Sequence, residues 1–545
     1  MRSSQLLSAV ALVLCVGLVA SPMVAGPLGG HTADALGSWW FQWWVAEGFP
    51  EATLHHPWGK DVLAHTGANI VDALLALPLR AAFGPEAAWN GLVVTILVTN
   101  ALATWRLVRP RVKRPEAALV AALVVLLHPY VIYELAAGRP TQALLAPAIL
   151  ALALSDEALA SGGLRRILPA GIALAVAGYV YWFGGLFAGL GVAVLALARP
   201  RSWARGLAIA GAASLVALPL ALPLALRLAA GEVPGVLPVS AWWSGLDLVT
   251  AEGDTVPLCT LHLPATLGNL RAEGWQAAAP GLGLVALGLA ALSVLSGRRW
   301  LVVALVGTLL AIGPHPLGLP NPVYIGLATL VPGMDRLYWP CRALALLVPC
   351  TALGAAALAE RWRAPAAAAV LVALVSELGI RAQLPLPTWD TEVPEAVRCL
   401  AGAEGAVIDL PLGRDHTPLL YQTVHGLPIL DGMNPRSRGQ VPGELRTAVQ
   451  TNSYLAALNR STDDPRNRIA WTLEDQLAVE DLGFRWVLVR LEPLRETMPT
   501  TAATLHVRSL ASRMEELAGP PIYADDEAWL LAPWGHERSC EATVR

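Results

Sequence analysis

Asp34 is the residue whose type and position most clearly predict chemistry. It follows the first apolar run of the chain, and the aromatic stretch Trp39–Trp44 has the spacing of an amphipathic helix lying in a membrane interface. A carboxylate at that depth can meet both a lipid head group and a water-borne substrate, which indicates a general base or a ligand of a divalent cation. The alternative is a helix N-cap, for which aspartate is a preferred residue.

A second acidic residue and an arginine occur together in the sequence HPYVIYELAAGRPTQ. Glu134 and Arg139 stand at the predicted outer edge of the membrane, where a charge without a function is costly. Gly138 and Pro140 are typical of a tight turn, which would aim Arg139. Glu134 is therefore a candidate catalytic residue and Arg139 a candidate phosphate ligand. The alternative is a local ion pair between the two.

A further group of charges precedes a late apolar run, in the sequence DRLYWPCRA. Arg336 and Arg342 lie at the predicted outer end of this run, against the usual bias of basic residues toward the cytoplasmic side. Because arginine binds phosphate in a bidentate manner, both are candidate ligands for the phosphate of a lipid substrate. Asp335 beside them is a candidate contact to donor or acceptor. The head groups of ordinary phospholipids are the alternative ligand for the arginines.

Two polar stretches hold the remaining candidates. Lys60, His56 and Asp61 fall within HHPWGKDVLAHTG, where adjacent histidines do not face one metal ion as an i, i+4 pair would. Lys60 is a candidate phosphate ligand, and His56 and Asp61 are candidate contacts to donor or acceptor. Solvated loop residues are the alternative. His425, within LYQTVHGLPILDG, is either a substrate contact or part of a turn packed on a membrane domain.

The composition indicates that membrane-spanning helices position these residues. The chain has 545 residues, of which 55% are hydrophobic and only 14% charged, against about 25% charged in soluble proteins. The formal net charge of −3 provides no basic field for nucleic acid. No G-x-S-x-G, H-E-x-x-H or P-loop occurs, so hydrolase and ATPase functions have no support. Apolar runs that predict about eleven spans lie at about 6–25, 88–108, 116–135, 141–155, 167–183, 185–198, 206–228, 280–296, 300–313, 341–359 and 366–382.

The basic residues predict the orientation of these spans. They concentrate in every second loop, which places the N-terminus in the cytoplasm. The run 69–83 contains Asp72, Pro78 and Arg80, so we interpret it as an interfacial or re-entrant helix within a first outer loop, residues 26–87. With eleven spans, the C-terminal part of the chain then lies outside.

Beyond residue 382 the composition becomes polar and no further span appears. We therefore predict a helical membrane domain, residues 1–382, followed by an extracytoplasmic α/β domain, residues 383–545. In an oxidising compartment Cys399 and Cys540 are a candidate disulfide pair. The predicted strands lie at 405–412, 427–430, 484–491 and 529–531, and the predicted helices at 441–460 and 500–518.

The arrangement resembles the GT-C superfamily of polytopic glycosyltransferases, which holds protein O-mannosyltransferases and the aminoarabinose transferase of lipid A. The resemblance depends on Asp34 after the first span and on the four stretches HPWGKDVLAHTGANIVDALLALPL, HPYVIYELAAGRPTQ, DRLYWPCRA and LYQTVHGLPILDG. Many relatives carry a second acidic residue beside the first, whereas Ala33 and Ala35 flank Asp34 here. That departure puts metal dependence in question.

The resemblance implies a function at the outer face of a bacterial inner membrane. A sugar would move from a polyprenyl-phosphate carrier to a glycan, lipid or protein acceptor. Asp34 would deprotonate the acceptor hydroxyl or hold a Mg²⁺ or Mn²⁺ ion against the phosphate. The alternative is a non-catalytic membrane protein on the same scaffold, which handles lipid or polysaccharide or serves envelope assembly.

Overall fold

The chain divides into two compact units in a computed structural model. The first comprises Met1–Ala35 and Leu63–Asp390, and the second comprises Leu36–Val62 and Thr391–Arg545. The predicted boundary after residue 382 lies close to the later of these junctions. The structure describes residues 3–50, 53–60, 62, 70–229, 283–316, 319–331, 334, 339–380, 384–432, 441–466, 468–493 and 500–535.

The regular elements of the first unit are helices in its described residues, and Leu28 and Thr388 form an isolated bridge. Proline occupies the first position of many of its helices, where the missing N–H costs nothing and the fixed φ suits a helix. Except for Pro322–Leu330, these helices follow the predicted apolar runs. Their bounds are Ser3–Ala20, Val71–Phe83, Pro85–Val108, Pro115–Leu126, Pro129–Ala136, Pro140–Ala143, Ala146–Ser161, Leu164–Val180, Trp182–Leu197, Trp203–Ala229, Leu284–Leu292, Arg298–Ala311, Pro322–Leu330 and Leu347–Ile380, and Ala33–Ala46 passes from this unit into the second.

Four apolar segments are long enough to cross a membrane, among the residues that the structure describes. They are Pro85–Arg111, Pro115–Ala136, Pro140–Ser161 and Pro340–Trp362, and the bent pair Trp182–Leu197 and Pro200–Pro219 adds a fifth if it is one span. The protein is therefore a helical membrane protein by length and composition. The predicted count of eleven spans is not confirmed and stays a prediction.

The last two predicted runs fall within one element, Leu347–Ile380, which contains a proline. The Thr351 hydroxyl donates to the carbonyl of Ala286, and Glu377 accepts from the backbone N–H of Leu284. In a straight helix Thr351 and Glu377 would lie about 39 Å apart, whereas Leu284 and Ala286 are neighbours. The element must therefore bend back on itself, as two antiparallel runs would require.

Three basic segments of the first unit converge on one buried carboxylate, Asp156. It forms ion pairs with Arg111 at 2.5 Å, Arg199 at 2.9 Å and Arg299 at 3.0 Å. The three arginines belong to loops that the sequence places on the same side of the membrane. Their convergence confirms that these loops meet at one end of the helical unit, and it gives Asp156 an anchoring role that the sequence did not reveal.

Replacing Asp156 by asparagine is expected to destabilise the helical unit strongly. Three guanidinium groups would then lack their shared counter-charge, and breaking a buried ion pair costs about 3–5 kcal/mol. Thermal unfolding of the purified protein in detergent measures the effect. Glu157→Gln is the matched control, because Glu157 and its partner Arg106 are 30% and 43% exposed, where an ion pair contributes about 0–1 kcal/mol. Equal melting temperatures for the two variants would contradict the anchoring role.

The second unit contains a four-stranded mixed sheet. Its strands are β1 (Ala406–Leu410), β2 (Phe484–Arg490), β3 (Tyr523–Ala524) and β4 (Ala528–Leu531), in the order β1-β2-β4-β3. β1 and β2 are parallel, and the two remaining pairings are antiparallel. The predicted strand at 427–430 forms only a bridge from Ile429 to Val407. The helices are Glu395–Cys399, Thr417–His425, Gly443–Thr451, Ser453–Asp463, Leu473–Asp481 and Thr500–Ala518.

The aromatic helix Ala33–Ala46 forms as predicted, but its rings are not free to lie in a membrane interface. All five aromatic side chains between positions 39 and 44 are less than a tenth exposed. Trp40 donates its indole N–H to the amide oxygen of Gln422 at 2.6 Å. Gln422 in turn donates to the carbonyl of Thr53 at 2.7 Å. A buried glutamine therefore ties residues 36–62 to the C-terminal part of the second unit.

Candidate functional site

Backbone packing within the first unit places Asp34 at the start of a helix. Thr32 caps this helix, because its hydroxyl accepts from the N–H of Ala35 at 3.1 Å and donates to the carbonyl of Ala137 at 2.7 Å. The capping role proposed as the alternative for Asp34 therefore belongs to Thr32. Gly138, at a φ of +70°, lies so close to Ala35 that an added Cβ would be 2.2 Å from that methyl group. This approach requires glycine.

Arg139 joins the two candidate carboxylates. Its Nε donates to Asp34 Oδ2 at 2.6 Å, and its Nη1 donates to Glu134 Oε2 at 3.2 Å. The side chains of Arg139 and Glu134 are 4% and 0% exposed, whereas that of Asp34 is 43% exposed. Although burial acts to lower the pKa of Arg139, Glu134 and Asp34 raise it well above its ordinary value. Arg139 is thus a permanent cation that bonds the buried carboxylate of Glu134 and the accessible carboxylate of Asp34.

A second arginine lies beside the first. The guanidinium groups of Arg139 and Arg342 lie 5.1 Å and 5.0 Å from the ring centroid of Trp339. Arg342 also donates to the hydroxyl of Tyr181 at 2.7 Å. Its Nε is buried and has no hydrogen-bond partner among the described residues. Two guanidinium cations thus contact one indole ring, and Arg342 keeps an N–H donor for a further partner. Such an arrangement suits an anion.

A small cavity adjoins Arg342. Its volume is about 10 Å³ and its lining includes Tyr130, Thr141, Gln142 and Tyr181. That space holds about one water molecule, so a whole substrate requires the surrounding side chains to move. Behind Thr141 lies Asp72, whose carboxylate accepts from the threonine hydroxyl at 2.7 Å. Tyr181 and Asp72 were not recognised as site residues in the sequence; the signal for Asp72 was a charge within an apolar run.

The described residues around Asp34 do not fit a divalent cation. The guanidinium of Arg139 lies between Asp34 and Glu134, and its charge would repel a metal ion held by the same oxygens. No group of three histidine, cysteine, aspartate or glutamate side chains suited to a metal occurs in the part of the chain that the structure describes. The described residues around Asp34 therefore give no support to a Mg²⁺ or Mn²⁺ ion at this site.

His56 and His425 make contacts of a structural kind within the second unit. His56 Nε2 pairs with the carbonyl of Leu482 at 2.9 Å, and its ring packs edge-on against Phe484. His425 accepts from the N–H of Leu427 at 2.9 Å, and burial lowers its pKa to about 3. His425 is therefore neutral at physiological pH and stabilises its own turn.

Lys60 belongs to a buried polar group in the second unit. Burial lowers the pKa of Lys60 to about 7, although Asp431 acts in the opposite direction. Burial raises the pKa of Asp431 to about 6. Burial and then the charge of Lys60 lower the pKa of His55 to about 3. At neutral pH Lys60 is only partly protonated, so it is a weaker candidate for phosphate binding than Arg139 or Arg342.

The remaining predicted site residues, Asp61, Asp335 and Arg336, lie outside the described residues. Cys399 is disulfide-bonded, as is Cys341, which the apolar surroundings of Cys341 did not predict. Cys540, the predicted partner of Cys399, lies outside the described residues as well. The structure thus unites Asp34, Glu134, Arg139 and Arg342.

Comparison with solved structures identifies the fold. The chain aligns over 99% of its length with the arabinofuranosyltransferase AftD from mycobacteria, at a TM-score of 0.56 and 15% identity, and it spans 40% of the AftD chain. It also aligns with the oligosaccharyltransferase AglB from Archaeoglobus fulgidus, solved with an inhibitory peptide and a dolichol-phosphate, at a TM-score of 0.45 and 13% identity over 94% of this chain and 73% of that one. It further aligns with ArnT from Cupriavidus metallidurans, at a TM-score of 0.41 and 13% identity. That alignment covers 97% of this chain and 98% of the ArnT chain.

The fold is that of the GT-C glycosyltransferases, and the resemblance drawn from the sequence is confirmed at that level. No protein-family profile and no curated protein sequence matches the chain.

Proposed function

We propose that this protein transfers a sugar from a polyprenyl-phosphate carrier to an acceptor hydroxyl, with Asp34 and Arg139 at the centre of the site. One observation carries the proposal: an accessible carboxylate is held at 2.6 Å from a buried guanidinium, and a second guanidinium lies on the same indole ring. Transfer of a sugar from a phosphate leaving group requires a base for the acceptor proton and fixed positive charge beside the phosphate.

In the proposed reaction Asp34 acts on the acceptor, and the two arginines act on the carrier phosphate. The acceptor oxygen attacks the anomeric carbon of the sugar while its proton passes to the Asp34 carboxylate. The bond between the anomeric carbon and the phosphate oxygen breaks, and the carrier phosphate leaves with the electron pair. Arg139 and Arg342 stabilise the negative charge that develops on this oxygen, and Glu134 holds Arg139 in place.

Two features support an extracytoplasmic site. Cys341 and Cys399 are disulfide-bonded, and disulfides form and persist in oxidising compartments. Arg139 precedes the apolar segment Pro140–Ser161, and Asp156 with its three arginines lies near the other end of that segment. Because basic residues favour the cytoplasmic side, Asp34 and Arg139 would face outward, in a bacterial inner membrane.

A non-catalytic role on the same scaffold is the second candidate, and the small cavity favours it. Arg139 already forms ion pairs with both carboxylates, and about 10 Å³ of free space admits no sugar without rearrangement. In this role the charged groups would stabilise the helical unit or bind lipid head groups.

Comparison of a deletion strain with wild type tests the proposed function. We expect the deletion to remove one glycan or glycolipid from the cell envelope and to accumulate a polyprenyl-phosphate-linked sugar. Mass spectrometry of extracted lipids and of surface glycans measures both. Restoration by the wild-type gene is the control. Unchanged glycans together with an envelope assembly defect would contradict the transferase and favour the non-catalytic role.

A further inference from the structure

Asp72 is a buried carboxylate that the proposed mechanism does not use. It lies in the first turn of the helix Val71–Phe83 and is 2% exposed. Its Oδ2 accepts from the Thr141 hydroxyl at 2.7 Å, while its Oδ1 has no hydrogen-bond partner among the described residues. Burying such a group is costly. Among the described residues Thr141 is the one side-chain hydrogen-bond partner of Asp72, and it offsets only part of that cost.

The hydrogen bond between Asp72 and Thr141 has a defined direction. An ionised carboxylate can only accept, so the threonine donates its one hydroxyl proton to Asp72. The hydroxyl oxygen of Thr141 then keeps its lone pairs for a second partner. Thr141 lines the cavity beside Arg342. The threonine is therefore oriented as an acceptor within this cavity.

The other side of the cavity supplies donors. Tyr181 accepts from Arg342, which leaves its phenolic proton free to donate, and Arg342 Nε has no hydrogen-bond partner within the described part of the chain. The cavity of about 10 Å³ has room for one water molecule or one hydroxyl group. A hydroxyl group, like a water molecule, can donate to Thr141 and accept from Tyr181 at once.

We infer that Thr141, oriented by Asp72, forms a subsite for one hydroxyl group of a ligand whose phosphate binds Arg342. This inference depends on the proposed function for the nature of the ligand. A carrier phosphate alone has no hydroxyl to place at Thr141, whereas a sugar esterified to that phosphate carries several within a few ångströms. The subsite therefore selects the sugar-loaded carrier over the empty one. Thr141 contacts the ligand, and Asp72 is a positioning residue.

Binding to the full-length protein in lipid nanodiscs tests the subsite. The probes are undecaprenyl phosphate and its glucose, mannose and arabinose esters, and native mass spectrometry measures their dissociation constants. We expect wild type to bind at least one ester about tenfold more tightly than undecaprenyl phosphate, which corresponds to about 1.4 kcal/mol. Thr141→Val, which has the same shape without the hydroxyl, should remove this preference and leave the affinity for undecaprenyl phosphate unchanged. Thr141→Ser keeps the hydroxyl and should retain the preference.

Other outcomes separate the subsite from the proposed function. If wild type binds undecaprenyl phosphate but prefers none of the esters, or if Thr141→Val keeps the preference, the subsite is wrong while a lipid-phosphate site stands. If Thr141→Val weakens both kinds of probe equally, the threonine is structural and the subsite is again wrong. If wild type binds no probe, both the subsite and the proposed donor class are wrong.

A double-mutant cycle tests the part assigned to Asp72. Asp72→Asn alone should lower the ester preference several-fold, because an amide can hydrogen-bond the threonine in either direction. In the Thr141→Val background the same change should add nothing, since Asp72 acts through the hydroxyl. Additive losses, or equal losses for undecaprenyl phosphate, would overturn the positioning role.

Discussion

Asp34→Asn is expected to abolish sugar transfer while the protein remains folded. The amide keeps the volume of the carboxylate and can still accept from Arg139 Nε, but it cannot take a proton from an acceptor hydroxyl. Removing a general base lowers turnover by about 100- to 10,000-fold. The measurement is the amount of transferred sugar in a deletion strain that carries the variant, normalised to the amount of membrane-inserted protein.

Thr32→Val is the matched control for this variant. Thr32 caps the helix that carries Asp34 and bonds the carbonyl of Ala137, so its loss should cost about 0.5–2 kcal/mol of stability. It should leave the chemistry of the assembled protein intact. Normal product from Asp34→Asn would exclude the catalytic role of Asp34. Loss of assembled Asp34→Asn protein would show a structural role instead.

Arg139→Gln is expected to destabilise the helical unit strongly. The variant leaves Glu134, whose side chain is fully buried, without its cation, and removing one partner of a buried ion pair costs about 3–5 kcal/mol. That is a large fraction of the 5–15 kcal/mol that keeps a typical domain folded. Fluorescence-detected size-exclusion chromatography and thermal unfolding should show little assembled protein.

The double variant Glu134→Gln with Arg139→Gln separates charge from packing. Both carriers of buried charge become neutral amides that can hydrogen-bond each other, so we expect most of the lost stability to return. The double variant should remain inactive, because the phosphate has lost one of its two fixed cations, Arg139. Glu134→Gln alone should be milder than Arg139→Gln, since Arg139 keeps its pair with Asp34. Wild-type melting temperature for Arg139→Gln would show that this ion pair contributes nothing to the fold.

Hydrophobic length was sufficient to predict from sequence that this is a helical membrane protein. The helices follow the apolar runs because a bilayer requires both a minimum length and internal hydrogen bonding. The predicted helix at 500–518 is confirmed as Thr500–Ala518. The predicted strands at 405–412 and 484–491 are confirmed as β1 and β2, because short apolar runs bounded by turn residues carry a local signal. Composition predicts a boundary after residue 382, whereas the first unit ends at Asp390 and Leu36–Val62 belongs to the second unit.

The partners of Asp34 and Asp156 depended on the tertiary structure, because these ion pairs join residues that are distant in sequence, whereas the local pair of Glu134 and Arg139 was an alternative that the sequence offered. Asp34 and Arg139 are 105 positions apart, and Asp156 and Arg299 are 143 apart; neither pairing leaves a local pattern. The burial of the aromatic helix was equally hidden, since a ring packed on protein and a ring placed in lipid have the same periodicity. Local sequence determined which segments are apolar and which residues are charged, whereas the packing of helices decided which charges meet.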